Sequence, residues 1–228
     1  MGILRAPRHL KNFIKMKGSY TKFGATESQL FERLDESPDE NFYSTPRLVH
    51  HIDEEARFTL SEFYKSLLTT DSIVLDLMSS WTSHLPETPK PAKVVGHGMN
   101  EEELAANPIL DNYFIQNLNQ TSKLPLNNDT YDVCLISVSV QYLTDPVTVF
   151  SEVARILKPD GSIVISFSNR MFPTKAVAIW RAMDSAGHGK LIIEYLENTA
   201  NFRAVHFTNI SPNKYRADPL FVVTGKAI

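Results

Sequence analysis

The chain has one cysteine, no long apolar run and no acidic residue before Glu27, and each absence excludes something. Cys134 alone rules out an intramolecular disulfide and a cysteine-rich zinc site, which fits a reducing, cytoplasmic setting. No window reaches the roughly eighteen uninterrupted apolar residues of a membrane span, so a soluble protein is expected. No G-x-S-x-G elbow occurs, and Ser83 beside His84 in sequence is no nucleophile and base pair in space, which argues against a hydrolase. His50, His51 and Asp53 do not make a metal cluster, because neighbouring helical positions point apart; no metal is expected.

Arg5, Arg8, Lys11, Lys15, Lys17 and Lys22 all precede Glu27, leaving 17 basic against 26 acidic residues in the remainder. A body with a net charge of −9 is a poor partner for nucleic acid, and none is expected. Residues 9–17, HLKNFIKMK, set Leu10, Phe13 and Ile14 apart from Lys11 and Lys15, so membrane contact by this basic stretch is one reading and docking on the protein's own core another. The start MGILRA lacks the Ser or Thr of a myristoylation signal and has no secretory apolar region. Residues 1–45 show no sustained period and are read as a loosely packed N-terminal extension, dispensable for the fold; residues 46–228 form one domain. The oligomeric state is left open.

Leu60, Phe63, Tyr64, Leu67 and Leu68 recur as the buried stripe of a helix leading into a first strand, IVLDL. From Ile73 onward short apolar runs alternate with helical patterns, which predicts βαβ units around a parallel sheet. Val133–Ile136 is apolar on both faces, as a central strand is. Asp145 and Pro146 open a helix with Phe150, Val153, Ala154 and Leu157 on its core face, and Lys158–Gly161 is read as the turn that ends it. Helices over 174–184 and about 190–199 precede two strand-like runs, FRAVHFTNI and LFVVTGKAI. The expected fold is a Rossmann-like three-layer α/β/α sandwich with a mostly parallel seven-stranded sheet and an antiparallel last strand.

The segment LPLNNDTYDVCLISVSVQYLTDPVTVFSEVARILKPDGSIVIS resembles the class I S-adenosylmethionine-dependent methyltransferases of type 11. Glu152, Arg155, Leu157, Lys158, Pro159 and Gly161 match the family pattern, and Asp160 replaces one glycine. Leu75–Pro86, Gly98–Leu104 and Phe167–Arg181 also resemble a branch of that superfamily with no assigned reaction. The resemblance implies S-adenosylmethionine as cofactor and methyl transfer to a small-molecule acceptor.

Family resemblance places the cofactor against a glycine-rich turn after the first strand, but Met78, Ser80 and Thr82 hold those places here. Asp76 matches the family acid, and Ser79 and Ser80 offer hydroxyls in place of bare amides. Gly98 stands where a ribose-binding acid is usual, so Asn100 or Glu101 would substitute; Asn117 would accept from the adenine amine. Asp76, Ser79, Ser80 and Asn117 are thus expected to line one cleft.

His84 at the mouth of that turn reads as a general base or as a cap, and Tyr142 after strand four reads as binding or deprotonating the acceptor or as packing. Trp81 is a candidate to stack on the substrate or to plug the gap left where Pro86, Pro89 and Pro91 exclude a helix. Asn169 and Arg170, with Lys175, form a cationic rim suited to an anionic substrate. The substituted turn also motivates the alternative of a noncatalytic relative acting as a binding or assembly partner.

Overall fold

The computed structural model describes residues 27–213 and 215–228. The expected sheet forms, with strand order β3-β2-β1-β4-β5-β7-β6. β1 (Ile73–Leu77), β2 (Lys93–Gly98), β3 (Asn112–Ile115), β4 (Tyr131–Ser137) and β5 (Leu157–Phe167) are mutually parallel. β7 (Phe221–Ala227) inserts antiparallel between β5 and β6 (Phe202–Asn209). The parallel strands therefore end at one edge, and the order reverses between β1 and β4, where open α/β sheets form their ligand crevice.

Side chains of a strand alternate between faces, and the two cores follow that alternation. Leu75, Leu77, Cys134, Ile136, Ile163 and Ile165 point to one face, under α5 (Pro146–Ile156) and α7 (Ser185–Thr199). Val74, Val133, Leu135, Val164 and Val222 point to the other, where α3 (Glu54–Lys65) packs Ala56, Leu60 and Tyr64. Asp53 caps α3 by accepting from the Ala56 amide at 2.8 Å, and Asp145 caps α5 through the Thr148 amide. No helix spans residues 78–92, as the prolines required. Among the described residues no helix is long and apolar enough to cross a membrane, and no His, Cys, Asp and Glu grouping could hold a metal ion.

The N-terminal reading needs correction for residues 27–45. They carry α1 (Glu27–Leu30) and α2 (Asp39–Tyr43), Leu30 joins the main core, and Asp39 is buried. Lys175, read as part of a solvent-facing rim, is fully buried and holds this segment down: Nζ donates to the Ser37 carbonyl at 2.9 Å and pairs with Asp35 at 3.1 Å and Asp39 at 3.3 Å. These contacts are polar and long-range, so they leave no periodic trace in the sequence. The basic stretch 9–17 lies outside the described residues.

Two further expectations shift. The helix over 174–184 contracts to α6 (Ala178–Arg181), because the amides of Val177 and Ala178 donate to Gln141 and Glu32 carbonyls instead of starting an earlier turn. Lys158–Gly161 lies inside β5, with the irregularity absorbed by a register shift opposite Tyr131 and by Asp160 at φ 65°.

Candidate functional site

The carboxyl ends of β1 to β4 surround a cavity of about 320 Å³, roofed by residues 33–52 of the N-terminal segment. It brings together Asp76, Ser79, Ser80, His84, Asn100, Asn117, Tyr142 and Arg170. Trp81 and Asn169 are not in its lining.

The turn after β1 closes without glycine at Met78, which takes φ 59°. The Met78 amide donates to His97 Nδ1 at 3.1 Å, and the Ser79 amide donates to the His97 carbonyl at 2.6 Å. His97 in turn donates from Nε2 to the Gln116 carbonyl at 3.0 Å, so one buried ring braces the ends of β1, β2 and β3. Burial lowers the His97 pKa to about 4, keeping the ring neutral.

Hydroxyls of the turn bind inward. Ser79 Oγ and Ser83 Oγ both donate to Asp76 Oδ2, at 2.6 and 2.5 Å, and Ser80 Oγ donates to Glu103 Oε2 at 2.6 Å. Burial raises the Asp76 pKa against the pull of those two hydroxyls. The Ser79 amide, spent on His97, is not the free cofactor donor that a glycine-rich turn presents.

Asn100 and Asn117 line the cavity with side chains already engaged. Asn100 caps α4 (Glu101–Ala105) by accepting from the Glu103 amide and donates to the Tyr43 carbonyl at 2.9 Å. Asn117 accepts from the Asn119 amide and donates to Glu40 at 2.9 Å.

Tyr142 faces the cavity, but its hydroxyl accepts from the Phe172 amide at 2.8 Å, and burial pushes its pKa up to about 12. It therefore keeps its proton at neutral pH, and the reading of its phenol as a base is corrected: it positions the loop after β5. Trp81 is corrected too: its indole donates to the Val49 carbonyl at 3.0 Å and stacks on His50, pinning the roof. Asn169 is exposed beyond the cavity, whereas Arg170 lines it and pairs with Asp218 at 2.8 Å.

His84 differs from these. Among the described residues no hydrogen bond fixes its ring, and burial, aided by Arg57, His50 and His51, lowers its pKa to about 4. An unheld, neutral imidazole on a cavity wall can accept a proton.

Several lining residues escaped the sequence. Arg47 spans Phe42 and Phe172, its guanidinium 4.3 and 5.5 Å from the two rings. Ser139, 8% exposed, has a hydroxyl with no partner among the described residues. Glu103 is buried on α4. Ser139 repeats a residue type common in loops, and Glu103 is one of three consecutive acids, so neither carried a distinguishing signal.

Residues 80–165, from this turn into β5, match the methyltransferase domain family. That match spans well under half of the chain. The methyltransferase solved with the Haloferax volcanii Trm112 activator shares the fold at 14% identity and a TM-score of 0.57, over 76% of this chain and 90% of that one. A methyltransferase from Aquifex aeolicus does so at 18% identity and a TM-score of 0.54, over 83% and 97%. In sequence, 71 residues are 31% identical to the biotin biosynthesis bifunctional protein BioHC of Teredinibacter turnerae, covering 31% of this chain and 12% of that protein.

The Aquifex aeolicus structure is that of an S-adenosylmethionine-dependent methyltransferase. The cavity lies where open α/β sheets bind their ligands, and in it Ser139 carries a buried hydroxyl that has no partner among the described residues.

Proposed function

We propose that this chain transfers a methyl group from S-adenosylmethionine to a small-molecule acceptor. The observation that carries the reading is the Ser139 hydroxyl, buried and without a partner among the described residues, in a partly open cavity at the switch point of the sheet. A buried hydroxyl without a partner costs about 1–3 kcal/mol, a cost that a ligand group at this point removes. The cofactor, when bound, supplies an electrophilic methyl group on a sulfonium.

The chain's own residues would do the rest by placement. Asp76, Ser79 and Ser80 would hold the amino-acid end of the cofactor, and Asn100 and Asn117 its nucleoside. The roof of Tyr43 and Arg47, with Arg47 backed by the Phe42 ring, would restrict the acceptor to small molecules. Neutral His84 takes the acceptor proton, while Arg170 and the Arg47 guanidinium orient an anionic acceptor. A cytoplasmic site of action suits the lone, buried Cys134.

A second reading, a noncatalytic partner protein, is favoured by one observation: Ser79, Ser80 and Ser83 spend their hydroxyls on Asp76 and Glu103. Thermal unfolding with S-adenosylhomocysteine separates the two. At about a hundred times its Kd the ligand adds roughly 2.7 kcal/mol of stability. An unshifted transition at saturating concentrations of both cofactor forms favours the noncatalytic reading.

A further inference from the structure

We propose that Glu103 binds the ribose hydroxyls of the cofactor, from α4 instead of from the end of β2; this rests on the methyltransferase reading above. A Cβ at Gly98 would stand 2.7 Å from the Ser79 carbonyl oxygen and 3.3 Å from Leu104 Cδ2. Backbone cannot retreat as a flexible side chain can, so the turn after β1 forbids any side chain at this strand end. The turn without glycine and the strand end that must be glycine are thus two halves of one rearrangement, and an acid at position 98 is sterically excluded.

Glu103 supplies a carboxylate nearby. It occupies the third helical position after the Asn100 cap, where a Glu commonly folds back onto the cap amide. Here it turns elsewhere: Oε1 accepts from the Arg47 amide at 2.7 Å and Oε2 from Ser80 Oγ at 2.6 Å. The two donors come from the roof and from the β1 turn, so the carboxylate lies between the two walls of the cavity it lines. It is 9% exposed, and among the described residues neither oxygen is paired with a cationic side chain. Each carboxylate oxygen can accept two hydrogen bonds, so one acceptor position remains on each. Two adjacent acceptors with no directly paired cation among the described residues suit a pair of neighbouring hydroxyls. Ser80 and Arg47 fix the side chain's rotamer, so little entropy is lost when the diol arrives.

Calorimetric titration of the full chain with S-adenosylhomocysteine and with its 2′-deoxyribose counterpart tests this. Wild-type protein is expected to bind the deoxy compound about tenfold or more weakly, the value of a hydrogen bond to a charged group. Glu103→Gln is expected to bind S-adenosylhomocysteine about tenfold or more weakly than wild type and to discriminate little between the two compounds. Equal affinity of the wild type for both compounds overturns the inference and needs no variant to fold. An equal loss for both compounds in Glu103→Gln also overturns it, pointing to a contact with another cofactor group or to a general distortion. Those two results leave the methyltransferase reading standing, whereas a wild type that binds neither compound removes that reading and this inference together.

Discussion

His97 accepts the Met78 amide on Nδ1, and this bond requires the proton of the neutral ring to sit on Nε2, where the Gln116 carbonyl receives it. Protonation of His97 would place a second N–H against the Met78 donor and disrupt the turn that shapes the cavity.

Stability should therefore depend on pH in a defined window. The folded pKa is about 4 and the unfolded value near 6.5, so the unfolded chain takes up the proton first as pH falls. The contribution is fully present above about pH 6.5 and is lost toward pH 4, to the order of 3 kcal/mol for this buried ring. Asp76, pushed up by burial, works in the opposite sense, so the comparison that isolates the effect is urea unfolding of wild type and His97→Gln across pH 4–7. The wild-type curve should fall more steeply with acid than that of the variant.

Lys175→Met should release the roof. Its ammonium is buried among Asp35, Asp39 and the Ser37 carbonyl, and removing one member of such a group costs about 3 kcal/mol or more. The expected result is a lower urea midpoint together with faster proteolytic cleavage between residues 27 and 52. Deleting residues 1–40 should do the same, because it strips Lys175 of its partners and Leu30 from the core.

The contrast between sheet and roof shows what the sequence makes legible. Val133–Ile136 and the α5 stripe bury apolar residues at the period of their element, and a local pattern of that kind survives in one sequence. Lys175 and Asp35 are 140 residues apart and joined by an ion pair and a hydrogen bond, a relation no window can detect. The same holds within the site. Asp76, Ser79 and Ser80 lie at and just beyond a strand end and could be placed, but the Ser79 hydroxyl turns back to Asp76 and the Ser80 hydroxyl to Glu103, which a tertiary contact brings in. For Trp81 the sequence left both stacking on a substrate and plugging a gap open; its ring partner, His50, lies on the roof.

Gly98→Ala should push the β1 turn and the end of β2 apart. The added methyl meets the Ser79 carbonyl oxygen at 2.7 Å, and overpacking of this kind costs about 1–3 kcal/mol. A lower unfolding midpoint, with weakened binding of S-adenosylhomocysteine, is expected. An unchanged midpoint would mean that the turn moves freely.

His84 should titrate near pH 4 when followed by NMR of its imidazole, since burial and the nearby Arg57 hold it neutral. His84→Gln should leave cofactor affinity close to wild type and reduce turnover by about a hundredfold or more, the range for loss of a general base. A midpoint near 6.5 would show that the ring is solvated and not buried against the cavity wall.

The central claim is that the cavity at the ends of β1 to β4 is a working cofactor site despite its serine turn. Isothermal titration of the wild-type chain with S-adenosylmethionine tests it most directly. A saturable heat with one site per chain, lost on competition with S-adenosylhomocysteine, is the predicted result; no heat for either compound at millimolar concentration would contradict it.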